Sequence, residues 1–381
     1  MTKVTHITTV HRSADVRIFH KQAATLAARG YQVTLIAVAT ADRVDRGVQI
    51  RALPAPRGRI ARMTWTAWRA YRLALAERAD VYHFHDPELI PVGLLLRWKG
   101  KRVVYDVHED VVKDIHDKPY LPRWAKPIVR VVVGAIERAA AGRFSAVVAA
   151  TSAIQATHAG AGAVLVRNVP ILDELVAPSV RAFRERSRRV VYVGGLAPFN
   201  GPEQMVRAMG ALPADIDIRL VLGGVFNSPA EEAVIRALPG SDRVDFLGWV
   251  DRSRVAAILA DARAGLVVYQ PTPNIMESEP NKFFEVLSAG LPLIASNLPH
   301  WTRFVEANGC GVTVDPSDPL AIAKAIQALV DDPDGAEAMG RRGREAIERG
   351  YNWEAESQGL VALYERLLGS KQPALAPAAA C

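Results

Sequence analysis

Glu277-Ser278-Glu279-Pro280-Asn281-Lys282-Phe283-Phe284-Glu285 runs directly into Val286-Leu287-Ser288-Ala289-Gly290-Leu291-Pro292-Leu293-Ile294-Ala295-Ser296. Glu277 and Glu285 stand eight positions apart around a Pro-Asn-Lys turn, followed by an apolar helix, a Gly-Leu-Pro break and a buried strand. Proline is tolerated in a first helical turn, where its missing N–H costs nothing, so Pro280 sets the helix start between the two acids. Glu277 then falls in the loop after a strand, and Glu285 one turn into the helix. A helix start offers backbone N–H groups and the positive end of a dipole to a phosphate. Carboxylates accept hydrogen bonds from sugar hydroxyls. The order suits a ligand that joins a diphosphate to a sugar. The plain structural alternative is a solvated loop acid and an ordinary helical acid. Paired carboxylates also serve glycoside hydrolysis, which the spacing leaves open.

Outward from this stretch, short β-branched runs alternate with helical patterns. Residues 4–10, 32–38, 80–84, 102–106 and 145–150 read as strands, as do 189–194, 217–223, 244–247, 265–269, 291–295 and 311–314. Between the first two, Ile18, Phe19, Ala23 and Leu26 recur at helical spacing. Such alternation, present twice, predicts an α/β fold of two doubly wound, Rossmann-like domains with parallel sheets. At 381 residues the chain also exceeds one ordinary core. The first domain is expected over residues 1–170 and the second over 179–353, joined by the proline-bearing segment 167–178. A helix over 354–369 and a disordered Gly/Pro/Ala-rich tail over 370–381 complete the chain. Ligands of open α/β folds bind beyond the carboxyl ends of the strands. The two domains are therefore expected to face each other across a cleft lined by strand-to-helix loops.

Half of the residues are hydrophobic and 23% charged, as in soluble globular proteins. No apolar run approaches the ~20 residues that span a bilayer, and Met1-Thr2-Lys3 leads straight into strand-like Val4-Thr5-His6-Ile7, unlike a signal peptide. Two cysteines, Cys310 and Cys381, make no disulfide framework. A cytoplasmic location is expected. The net charge of +7 conceals a split: residues 1–170 hold 26 Lys and Arg against 13 Asp and Glu, and the remainder 21 against 27. A basic first half points to an anionic partner. Without a zinc-finger spacing or an aromatic RNP-like strand, nucleic acid is set aside. Two basic, aromatic stretches, 57–72 (with Arg57, Arg59, Arg62, Trp65, Trp68) and 122–133 (with Arg123, Trp124, Lys126, Arg130), suit the inner face of an anionic plasma membrane. The alternative is a pair of helices that pack their aromatics inward and leave arginine outside.

The Glu277–Glu285 segment resembles the E-x7-E signature of the retaining GT-B glycosyltransferases of family four, in the bacterial surface-polysaccharide branch with Pro-Asn-Lys before the second Glu. Further pieces match in order. They are Thr9-Val10-His11-Arg12-Ser13-Ala14-Asp15-Val16-Arg17-Ile18-Phe19, Tyr105-Asp106-Val107-His108-Glu109-Asp110 and Val191-Tyr192-Val193-Gly194-Gly195-Leu196. Val244-Asp245-Phe246-Leu247-Gly248-Trp249-Val250 and Tyr351-Asn352-Trp353-Glu354 follow. The resemblance implies an enzyme that moves a sugar, with retention, from a nucleotide-diphosphate donor to a glycan or lipid-linked acceptor. The first domain would bind the acceptor, the second the donor, and the last helix would return to the first domain. The resemblance places Glu285 on the ribose hydroxyls and Glu277 beside the donor sugar. Backbone N–H groups near Lys282 and Phe283 would meet the diphosphate, Lys282 would face the leaving phosphate, and Asn281 and Val250 would belong to the same donor site. His108 corresponds to a histidine that contacts the donor sugar near its anomeric carbon. Asp15, Arg17 and Glu109 fall on the acceptor side, although a helix-start Asp is also commonly an N-cap. His83, His85 and Asp86 look superficially like a metal cluster, because alternate strand residues share a face. Spacing supplies no third ligand, and the resemblance implies neither cofactor nor bound metal.

One departure stands out. Gly194-Gly195 lets a backbone approach phosphate closely, but many relatives carry an Arg and, five residues on, a Lys that clamp the diphosphate. This chain has Gly195 and Asn200 there. The charge must come from Lys282, from backbone amides or from an Arg elsewhere. A noncatalytic nucleotide-sugar-binding relative and a nucleotide-sugar epimerase are the rival readings. A uridine donor is preferred to GDP-mannose.

Overall fold

The computed structural model describes residues 1–108, 111–115, 122–176 and 181–369; the expected tail lies outside them. The chain divides into two compact units, one of Met1–Asn168 with the chain from Ala355 onward, the other of Val169–Glu354. Both are parallel-sheet α/β layers, as the alternation of strands and helices predicts.

In the first unit the sheet extends from Lys3–Arg12 in two directions. One side runs through Gln32–Val38, Val48–Leu53 and Arg43–Asp45, the other through Val81–Phe84, Arg102–Val107, Ala146–Ala149 and Val164–Leu165. All neighbours are parallel except Arg43–Asp45 on Val48–Leu53. That hairpin escaped the sequence reading because Val44, Val48 and Ile50 alternate with polar residues and make no apolar run. Its register is set by the turn, where Arg46 (φ 47°) and Gly47 (φ 74°) both adopt the left-handed conformation of a tight two-residue hairpin.

In the second unit Arg189–Val193 is the first strand. Arg219–Gly223 and Val244–Gly248 lie on one side of it, and Ala264–Val267, Leu293–Ser296 and Gly311–Val314 on the other. In both sheets strand addition reverses direction at the first strand, and the loops leaving that switch point are where such folds bind ligands. Helix Asn281–Ser288 packs Phe283, Phe284, Val286 and Leu287 into the core. A Cβ built at Gly265 would lie 2.5 Å from Val286 Cγ1, so the Val286 side chain packs directly on the bare strand backbone.

Helix Trp353–Leu368 is, from Ala355 on, part of the first unit. Its Tyr364 is fully buried, with the hydroxyl 2.9 Å from His83 Nδ1 and the ring 6.0 Å from that of Tyr31. No helix among the described residues is long and apolar enough to cross a membrane.

Candidate functional site

Helix Asn281–Ser288 begins where Pro280 stands as an extended N-cap. Glu285, on its inner face, is only 3% exposed. Its Oε1 accepts hydrogen bonds from Arg252 Nη1 (2.6 Å) and Asn281 Nδ2 (2.7 Å), and its Oε2 from Lys282 Nζ (2.8 Å). Burial pushes a carboxyl up, but Lys282 and Arg252 outweigh it and hold Glu285 at about 2. Arg252 also reaches Glu174, and although burial alone would weaken its protonation, Glu285 and Glu174 strengthen it. Arg252 is the residue that sequence reasoning missed. Its signal was local: Asp251 caps helix Arg252–Ala260 by accepting from the Arg254 N–H, which puts Arg252 in the first turn beyond strand Val244–Gly248.

Gly194 and Lys282 are neighbours. A Cβ built at Gly194 would meet the Tyr192 hydroxyl at 2.7 Å and lie 3.5 Å from Lys282 Cε, so only glycine brings this loop against the lysine stem. At Gly195 the nearest obstacle to a Cβ is Asn200 Oδ1 at 3.8 Å, which leaves room for a side chain. Asn200 is buried in the turn Pro198–Asn200 and hydrogen-bonds the Tyr269 hydroxyl. Phe283 is buried in the core. Its ring packs on Trp301 and Phe304, and its N–H donates to the Pro280 carbonyl (3.0 Å). Val250 lies over the end of strand Arg219–Gly223, with Cγ2 3.1 Å from a Cβ built at Gly223. Glu277, itself exposed, ends the turn Ile275–Glu277. The next residue fixes that loop, since the Ser278 carbonyl accepts from His300 Nε2 (2.8 Å) and Trp301 Nε1 (3.0 Å).

In the first unit Asp15 caps helix Val16–Ala23 through the Ile18 N–H (2.9 Å). Arg17 lies two residues on, in that helix. Helical spacing turns it inward, where it is buried with a two-pronged grip on Asp106 (2.7 and 3.0 Å) and a third bond to the Val166 carbonyl. Asp106, fully buried, also accepts from Gln22 Nε2 (2.9 Å) and meets His85 Nδ1 (2.9 Å). Burial opposes its ionisation, yet Arg17 and His85 keep it well below the usual carboxylate range. His83 and His85 gain a third imidazole, His6, which pairs in register with His83 across the sheet and approaches His85 Nε2 to 2.9 Å. Burial holds all three neutral. Asp86 anchors the last third of strand Lys3–Arg12 through the Thr9 N–H (2.6 Å) and Thr8 hydroxyl (2.9 Å). His108, at the end of Arg102–Val107, does not stand alone: its Nε2 is 3.1 Å from His11 Nε2, and His11 faces Asp15 (3.4 Å) and Asp86 (3.6 Å). Glu109 lies outside the described residues.

The basic stretches expose their tryptophans but bury Tyr71. Ile60, Met63, Trp65 and Trp68 are exposed, and so are Trp124, Ile128, Val131 and Ile136 along helix Lys126–Ala141.

Residues 16–172 match the glycosyl transferase 4-like domain and residues 174–346 the family "Glycosyl transferases group 1". The chain is 27% identical over 364 residues, 90% of each protein, to a phosphatidyl-myo-inositol mannosyltransferase of Mycobacterium leprae (strain TN). Sucrose-phosphate synthase from Thermosynechococcus elongatus superposes with a TM-score of 0.77 at 21% identity, over 96% of this chain and 99% of that one. HepE of Anabaena in complex with UDP-glucose does so with 0.70 at 15%, over 96% and 100%. These matches take in both sheets and the helix-start cluster around Glu285, and the chain belongs to the GT-B glycosyltransferases of family four, sugar-transferring enzymes.

Proposed function

We propose that the enzyme transfers a sugar from a nucleotide-diphosphate donor, with retention at the anomeric carbon, to a glycan or lipid-linked acceptor at an anionic membrane surface. The observation that carries this reading is Glu285, a buried, ionised carboxylate whose partners Lys282 and Arg252 are 29% and 30% exposed. Glu285 receives the ribose hydroxyls. Lys282, beside the Gly194 backbone, faces the diphosphate, with Arg252 as the second cation that Gly195 and Asn200 do not supply. These side chains, rather than a metal ion, offset the charge that grows on the leaving phosphate. Glu277 orients the donor sugar. The leaving diphosphate takes the proton of the acceptor hydroxyl on the same face, so no protein nucleophile is required; the protein supplies position and electrostatics. The first unit takes the acceptor, with His108 among the reacting groups.

HepE, in complex with UDP-glucose, supports a uridine donor. The relative named as a mannosyltransferase makes a mannosyl donor the second reading. For the membrane, exposed Trp65, Trp68, Trp124 and Ile128 stand among Arg57, Arg59, Arg123 and Arg130, the mixture that enters an anionic interface.

The test is a thermal-shift screen of UDP, GDP, ADP and dTDP sugars, because a ligand that binds the folded state raises Tm. It is followed by NMR of the anomeric centre in the transferred product. One base is expected to stabilise the wild type and not Glu285→Ala, and the product is expected to retain configuration. An inverted product overturns the mechanism. Binding without donor hydrolysis or transfer makes the protein a noncatalytic relative, and isomerisation without acceptor makes it an epimerase.

A further inference from the structure

The loop that leaves strand Arg189–Val193 carries a free donor, and the residues around it decide where that donor points. The Gly194 N–H donates to the Gly223 carbonyl (2.8 Å) and the Leu196 N–H to the Val225 carbonyl (3.1 Å). Between them, the Gly195 N–H has no hydrogen-bond partner among the described residues, and Gly195 is exposed. Its direction is nevertheless fixed. The Gly194 carbonyl oxygen lies against the bare α-carbon of Gly224, where any Cβ would collide with it. No peptide bond among the described residues is cis, and in a trans peptide the N–H and C=O point opposite ways. The Gly195 N–H therefore points away from Gly224.

Tyr192 holds the next peptide group. Its hydroxyl, buried beneath the loop, donates to the Gly195 carbonyl oxygen (2.9 Å), which can only accept. Burial, with Tyr269 and Glu285 nearby, pushes this hydroxyl well above its ordinary range, so it keeps the proton that it donates. The Tyr269 hydroxyl stands 3.4 Å behind it and is itself hydrogen-bonded by Asn200. Two glycines in succession would otherwise let these peptide groups turn over at little cost.

We infer that Tyr192 is a positioning residue for the donor diphosphate: its hydroxyl, backed by Tyr269 and Asn200, fixes the Gly195 peptide so that the free Gly195 N–H donates to a phosphate oxygen. The inference rests on the donor-site reading of Glu285 and Lys282. The place fits, because Gly194 packs against the Lys282 stem. A hydrogen bond from a backbone N–H to an anion is stronger than one between neutral groups. A donor already aimed needs no reorganisation when the phosphate arrives. Released from Tyr192, the Gly195 carbonyl can turn outward and set its oxygen against the phosphate, which repels it. At the place of a clamp lysine, Asn200 thus props a backbone donor instead of supplying a charge.

The experiment compares UDP with uridine, and GDP with guanosine, by calorimetry on the full chain, since each pair differs only by the diphosphate. For the pair that binds the wild type, Tyr192→Phe is expected to weaken the nucleoside diphosphate about 5- to 20-fold and to leave the nucleoside within about twofold. A merely structural role weakens both alike, and that result, or an unchanged diphosphate affinity, overturns the inference. Gly195→Pro removes the N–H itself and is expected to lose at least as much. A diphosphate held by Gly195→Pro as tightly as by the wild type overturns the inference even where Tyr192→Phe fails to fold. NMR of the 15N-glycine-labelled, unliganded protein then follows the Gly195 amide directly. One narrow resonance is expected in the wild type and a broadened or doubled one in Tyr192→Phe; the same line in both overturns the positioning role. An amide that responds to Tyr192→Phe in a protein that binds neither nucleoside diphosphate strikes the donor reading instead and leaves Tyr192 as the residue that fixes the loop.

Discussion

Asp106 and Glu285 are two buried, ionised carboxylates around which this enzyme is built, and they differ in the company they keep. Asp106 is held by Arg17, Gln22 and His85, all of them buried. Glu285 is held by Asn281, Lys282 and Arg252, whose side chains reach solvent. Desolvation opposes both charges and nearby cations rescue both. A carboxylate closed on all sides can only fasten the fold, because exchanging its partners would bury a naked charge. One whose partners stand at the surface can exchange them for ligand hydroxyls while its cations turn to phosphate.

The comparison can be broken by five experiments. Asp106→Asn removes half of a fully buried pair and strands Arg17, so it is expected to cost about 3–5 kcal/mol in urea denaturation; a cost below that of Glu285→Gln would reverse the assignment. Lys282→Met is expected to lower kcat about 100-fold while nucleoside binding, which lacks the diphosphate, stays unchanged in calorimetry. Glu285→Gln is expected to weaken nucleotide binding by about 1.5–3 kcal/mol, the range for hydrogen bonds to a charged group. Acid unfolding separates the two sites further. The folded Glu285 carboxyl is depressed, so its stabilisation is complete above its ordinary value of 4.5 and lost as pH falls toward about 2. Glu285→Gln is expected to flatten that limb, and Asp106→Asn to flatten it more. Gly195→Arg, placed where a Cβ has room, is expected to tighten donor binding only about two- to fivefold, since Lys282 and Arg252 already stand there. Gly194→Ala, which strikes the Tyr192 hydroxyl, is its disruptive control.

Much of this was legible beforehand. The helix start at Pro280–Asn281, the parallel sheets and the grouping of Gly194, Lys282 and Glu285 follow from local pattern and resemblance. Partners distant in sequence did not. Arg252 meets Glu285 because the chain passes from one edge of the sheet to the other side of its first strand, and no periodicity encodes that crossing. The resemblance puts Arg17 on the acceptor side, but helical spacing after the Asp15 cap turns it toward Asp106, on a strand far away in sequence. Asn200 occupied the place of a clamp lysine by alignment of motifs, whereas the tight turn before Gly201 (φ 77°) directs it to Tyr269. His6 joined His83 only through strand register.

The hydrogen bond between Tyr364 and His83 has a consequence for how this protein is made. Residues that close the interior of the first unit are synthesised after the whole of the second. A nascent chain released through Asn168 holds a sheet whose imidazoles still lack their tyrosine cover. The second unit is continuous and can finish during translation, while the first must wait for the last helix. Fragments ending before residue 364 are therefore expected to expose a partly finished first unit to chaperones and proteases.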